Sequence, residues 1–137
     1  MVCYIRGIIS INYPFSVNLV FVTSFQVAPE ECPIDSMTYL TRIIYSANSN
    51  GKWGENEIDY ILFLRSNLKL NPNWNEVQAI KYIAKDELES FIEKAKTDGP
   101  GVTPWFDLIA KSLLPRWWDK LDSLEEFKNH QEIVRFI

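Results

Sequence analysis

Three carboxylic acids stand at alternate positions in Trp53-Gly54-Glu55-Asn56-Glu57-Ile58-Asp59-Tyr60. Successive side chains on an extended strand point to opposite faces, so Glu55, Glu57 and Asp59 share one side while Ile58, Tyr60, Leu62 and Leu64 share the other. Acids held together repel one another and raise at least one pKa unless a cation or a donor compensates. A hard divalent ion with oxygen ligands is the usual compensation. The spacing therefore points to a metal-assisted or acid–base site at the mouth of a strand. By itself, however, such a spacing more often marks a solvated hairpin end than a ligand pair. Beyond Asp59 the acidic face continues as Ile61 and Phe63, which predicts a strand body buried on both faces with only its start polar.

The elements that must hold these acids follow from local signals. Residues 38–47, rich in Tyr, Ile and Thr, predict a strand; Asn48-Ser-Asn-Gly51 turns the chain, and residues 57–65 return as its hairpin partner. After the loop Asn71-Pro-Asn-Trp-Asn75, residues 77–84 predict another strand. Leu88, Phe91, Ile92 and Ala95 then recur at helical spacing, with Asp86, Glu87 and Glu89 in the first turns where the helix dipole favours negative charge. That helix ends near Gly99-Pro-Gly101. Thr103-Pro104 has the form of an N-cap and first helical position, which places Trp105 in a first turn. Pro115 limits that helix, residues 116–121 continue helically after a break, and Ser123-Leu-Glu-Glu126 reads as a capping box opening a last short helix. Strands followed by segregated helices give an α+β fold.

Residues 1–26 read differently. Ile9, Ile11, Tyr13, Phe15, Val17 and Leu19 alternate with polar residues and Pro14, a strand period. Pro14 and the interspersed Ser, Asn, Thr and Gln argue against a membrane span, and Pro14 with the lone Arg6 argues against a secretory leader. With 137 residues, 47% of them hydrophobic, the chain has material for one core. The net charge of −4 and scattered basic residues disfavour a nucleic-acid partner. Cys3 and Cys32 suit neither a zinc site nor a disulfide framework and are expected to be inert thiols in a reducing compartment.

Four blocks carry a family resemblance: Tyr39-Leu-Thr-Arg-Ile-Ile-Tyr45, Gly51-Lys-Trp-Gly-Glu-Asn-Glu-Ile-Asp-Tyr60, Thr103-Pro-Trp-Phe106, and Trp117-Trp118-Asp119 with Phe127-x-x-His130. In order and spacing they resemble the C-terminal portion of a type I isopentenyl-diphosphate isomerase of the Nudix superfamily. The likeness runs over residues 27–137 and leaves residues 1–26 as a non-matching segment. It implies an incomplete Nudix-like mixed sheet packed with helices. It also implies interconversion of isopentenyl and dimethylallyl diphosphate by protonation of an alkene and removal of a proton from the opposite end.

Residue by residue, the resemblance makes Glu55 and Glu57 metal ligands, puts Glu57 on the proton path, makes Tyr45 the tyrosine that hydrogen-bonds this glutamate, and sets Trp105 as the indole facing the cationic intermediate. The implied cofactor is a divalent metal, Mg²⁺ foremost, with Mn²⁺ or Zn²⁺ for a second site. The implied partner is a small allylic diphosphate, with no nucleic acid and no membrane, in the cytoplasm or, as in some members, peroxisome or plastid. Trp105 and Tyr45 also have ordinary packing roles open to them, Trp117 and Trp118 are expected to pack rather than bind, and His130 is expected to be a surface or packing residue. Family members place a catalytic cysteine, metal-binding histidines and a Glu-rich helix upstream, whereas residues 7–29 contain no Asp, Glu, Lys or Arg. The chain alone is therefore expected to be an inactive fragment or pseudoenzyme, and an uncovered sheet edge is expected to favour self-association. Nudix pyrophosphohydrolysis ranks last, since its helix has no counterpart here.

Overall fold

The computed structural model describes residues 8–11, 25–48, 51–66, 68–75, 77, 80–98 and 101–137. Its spine is an antiparallel hairpin of β2 (Met37–Asn48) and β3 (Gly54–Leu64), longer at the turn end than the sequence predicts. β1 (Ile8–Ile11) pairs antiparallel with β3, and β4 (Ile133–Phe136) pairs parallel with β2. The sheet order is β1-β3-β2-β4, and the sheet is mixed. Three helices follow the hairpin: α1 (Leu88–Thr97), α2 (Pro104–Ser112) and α3 (Leu114–Asp119), with 3₁₀ turns at Lys85–Glu87 and Leu121–Phe127. A mixed sheet packed with helices is the α+β class expected. The strand period read over residues 9–19 is seen as β1 at its start, and residues 12–24 lie outside the described residues.

A bulge decides which β2 side chains reach the helices. Tyr39 faces Leu62 across the hairpin, and Thr41 faces Ile61, so Leu40 is one extra residue on β2. The insertion changes the phase of alternation. Tyr39 falls on the side of Tyr60, its ring 6.3 Å away, while Ile43 and Tyr45 fall on the side of Asp59 and Glu57. Leu40 and Thr41 are both buried as a result. The backbone N–H of Asn129 donates to the Leu40 carbonyl at 2.7 Å, so the chain leading into β4 satisfies the bulge.

The two sheet faces carry two cores. On one, Leu40, Ile43, Tyr45, Ile61 and Phe63 meet Leu88 and Ile92 of α1, Phe106 and Ile109 of α2, and Leu114 and Trp117 of α3. On the other, Phe25, Val27, Cys32, Leu64 and Val77 cluster with Tyr60 and Leu62 packed against them. The expectation that the β3 body is buried on both faces needs correction: this second core reaches only its far end, and Ile58 is 41% exposed.

Further corrections concern segments between the blocks. The described part of residues 77–84 is irregular chain and not a strand; Val77 and Ile83 are buried in different cores, so each serves as a single anchor rather than one member of an alternating face. The helix expected from Ser123 is a 3₁₀ segment, Leu121–Phe127, within which Ser123 is non-helical (φ −131°, ψ 32°). β4 has no counterpart in the sequence reading, because four residues are too few to display a period. Pro115 falls in the first turn of α3, as a helix-starting proline, two residues beyond a break at Leu113.

Candidate functional site

The acids are brought together by the hairpin register. Tyr45 lies directly opposite Glu57, and Ala47 opposite Glu55, so Glu55 is the diagonal neighbour of Tyr45. The phenol leans toward the diagonal partner. Tyr45 Oη donates to Glu55 Oε2 at 2.9 Å and stands 3.5 Å from Glu57 Oε2. A phenol has one proton to give, so the shorter bond defines the donation and the longer one an approach at the limit of hydrogen bonding. Glu55 and Glu57 are half-buried, whereas Tyr45 is 1% exposed and Asp59 2% exposed. A row of carboxylates thus runs from the hairpin end into the core beneath the helices.

This row sets the chemistry of the phenol. Burial pushes the Tyr45 pKa far above the usual tyrosine range, and the bond to Glu55 with the negative fields of Asp59, Glu55 and Glu57 pushes it further. Tyr45 is therefore neutral and a hydrogen-bond donor throughout the physiological range.

The other expected residues fall as follows. Trp105 is in the first turn of α2, half-buried, edge-on to Phe106 with ring centroids 5.7 Å apart, and it packs against the core cluster that contains Tyr45. Trp117 is buried in that core, and Trp118 is half-buried beside it. His130 stacks on Tyr39 with centroids 4.5 Å apart, while its backbone carbonyl accepts from Arg42 Nη2 at 3.0 Å. It is an exposed residue whose ring packs on Tyr39. Burial pushes the Cys32 thiol up, only partly offset by a hydrogen bond from Ser36, which favours the protonated, less nucleophilic form of this free thiol. Cys3 lies outside the described residues.

Asp59 is the residue the sequence reading underused. Its signal was the continued alternation after Glu57; what the spacing could not tell is that burial overtakes the acidic row at its third member. Among the described residues no group of three or more His, Cys, Asp or Glu side chains converges as a metal cage. Glu55 and Glu57 do converge on one phenol oxygen, so their carboxylates suit two of the oxygen positions of a hard cation. Among the described residues, one cavity of about 340 Å³ lies between α1 and α2–α3 and another of about 580 Å³ at the far end of β3, and none of the sheet acids lines either.

The fold and this site define an α+β domain with an acid–phenol cluster at the open end of its central hairpin. No protein-family model matches the chain. It is 47% identical over 106 residues to isopentenyl-diphosphate Delta-isomerase 1 of Mus musculus, a match covering 77% of this chain and 47% of the relative. An isopentenyl-diphosphate delta-isomerase of Candida albicans is 47% identical over 113 residues, covering 79% and 38%. The chloroplastic isomerase I of Arabidopsis thaliana is 42% identical over 98 residues, covering 70% and 34%. Over this segment the chain is a homologue of the isopentenyl-diphosphate isomerases. It spans about half the length, or less, of the curated relatives it matches.

Proposed function

We propose that this chain carries one wall of an isopentenyl-diphosphate isomerase site, taking a small allylic diphosphate as substrate. The observation that supports this most directly is the Tyr45 hydroxyl held between Glu55 and Glu57, in a chain homologous to isomerases. Protonating an alkene demands a strong acid, and a phenol whose pKa is raised is a poor one. Tyr45 therefore acts by relay and orientation: it gives its proton to a carboxylate only as it receives another. Glu57, directly across the hairpin, is the carboxyl that exchanges the proton with the substrate. Glu55, fixed by the phenol, holds the relay in place. Trp105 offers an aromatic face to developing positive charge, worth roughly 0.5–2 kcal/mol by cation–π attraction. A divalent cation, Mg²⁺ foremost with Mn²⁺ or Zn²⁺ as alternatives for a second site, would be held in part by Glu55 and Glu57 and would supply charge against the diphosphate.

We assign residues 27–137 to the isomerase-like domain and residues 1–26 to a separate segment, and the cytoplasm as the compartment. Among the described residues no helix is long and apolar enough to cross a membrane. We also propose self-association through the sheet edges. A second reading, a catalytically inactive fragment, is favoured by the partial coverage of the relatives.

The test is a chimera in which residues 37–137 replace the corresponding stretch of the mouse isomerase, followed by conversion of isopentenyl to dimethylallyl diphosphate. Turnover that disappears in Glu57→Gln is expected. A folded chimera without turnover, or one indifferent to Glu57→Gln, would overturn the isomerase reading.

A further inference from the structure

The geometry points to Gly54 as a positioning residue that sets the hydrogen bond between Glu55 and Tyr45, a role that rests on the site reading above. Gly54 opens β3 and faces Asn48, the last residue of β2. A Cβ at this position would stand 2.6 Å from the Ala47 carbonyl oxygen, and 3.6 Å from Ala47 C and Asn48 Cα. The obstructing atom is backbone, so no rotamer change relieves it. Any side chain would force the start of β3 away from β2 until that contact approached the ordinary 3.4 Å.

The displacement would fall where the site is least tolerant. Glu55 follows Gly54 in the chain and is the diagonal, not the direct, partner of Tyr45, so its 2.9 Å bond depends on the two strands closing tightly at the hairpin end. Glu57 pairs two residues further from the obstruction, opposite the Tyr45 backbone. Gly51, in the preceding turn, differs in kind: it has φ +78° and nothing within 4 Å of an added Cβ, so it serves the turn's backbone angle while Gly54 serves strand approach. The missing side chain at Gly54 thus fixes which carboxylate accepts the phenol's hydrogen bond.

The experiment uses the full chain labelled with ¹³Cζ-tyrosine, the Tyr45 resonance being assigned by its loss in Tyr45→Phe. Glu55→Ala marks the position of a Tyr45 signal without its carboxylate partner. Gly54→Ala is expected to move the signal toward that position while amide exchange at Ile43 and Ile61, in the hairpin body, stays as slow as in the native chain. Asn56→Ala, an exposed change on the opposite face, is expected to leave the signal in place. A folded Gly54→Ala chain with an unmoved Tyr45 signal overturns the proposal. So does a signal that moves only with general loss of exchange protection, since Gly54 would then serve the whole hairpin. In the chimera, Gly54→Ala is expected to lower kcat on the order of tenfold or more with little change in KM. A native chimera without turnover would sink the isomerase reading yet leave the tyrosine signature to decide the role of Gly54.

Discussion

At the scale of single residues, the site is governed by one buried phenol facing a row of acids. Tyr45 is an acid whose folded-state pKa is raised above its unfolded value near 10. Between those two values the unfolded chain has lost a proton that the native chain keeps, so the group's contribution is complete below about pH 10 and falls as pH rises above it. Urea titrations at pH 7, 9 and 11 should show a native chain that weakens at pH 11 more steeply than Tyr45→Phe. Equal slopes in the two chains would mean that neither burial nor the acids hold the phenol in its protonated form. The spacing of Glu55, Glu57 and Asp59 made their shared face readable from sequence, because a strand period needs no tertiary information. The choice of Glu55 over Glu57 as the phenol's acceptor was not readable. It comes from the diagonal register and the approach at Gly54, which depend on how two strands close.

At the scale of elements, the helices were legible wherever a cap or a period marked them. Thr103-Pro104 opens α2 as expected, yet the Thr103 hydroxyl makes no capping bond and is buried. Asp107, in the first turn, ties the helix to α1 through Lys96. Burial pushes its carboxyl up, and the bonds donated by Lys96 of α1 and Lys111 outweigh this and bring it below the usual range. The bulge at Leu40 and strand β4 escaped the sequence because both exist only through tertiary partners: the bulge through Asn129, and β4 through its parallel register with residues 42–45. Seating of α2 can be tested with neighbouring aromatics of unequal burial. Phe106 is 1% exposed in the core, so Phe106→Ala should cost about 3–5 kcal/mol in urea unfolding. Trp105, half-buried beside it, should cost clearly less when changed to Leu, while lowering turnover of the chimera. Comparable losses of stability at both positions would make Trp105 a packing residue.

At the scale of the whole molecule, the chain spans about half the length, or less, of the relatives it matches. Catalytic groups act as a unit, so a site deprived of most of its members keeps almost none of its rate. The purified 137-residue chain with Mg²⁺ or Mn²⁺ should show no conversion of isopentenyl diphosphate, and measurable turnover would refute this. The same partial coverage bears on surfaces. Ile58 is 41% exposed on the face opposite the acids, Ile44 sits half-buried across from it, and the outermost strands β1 and β4 have only four residues each. Short edge strands limit pairing, but an apolar sheet face near the hairpin end still gains from being covered. A net charge of −4 opposes association only weakly at physiological ionic strength, where screening acts over roughly 8 Å. Sizing chromatography should therefore show a larger species that grows with concentration, and Ile58→Lys should shift it toward the monomer by placing a charge in that face. A native chain that elutes as a single monomer across a hundredfold range of concentration would show that the face needs no partner.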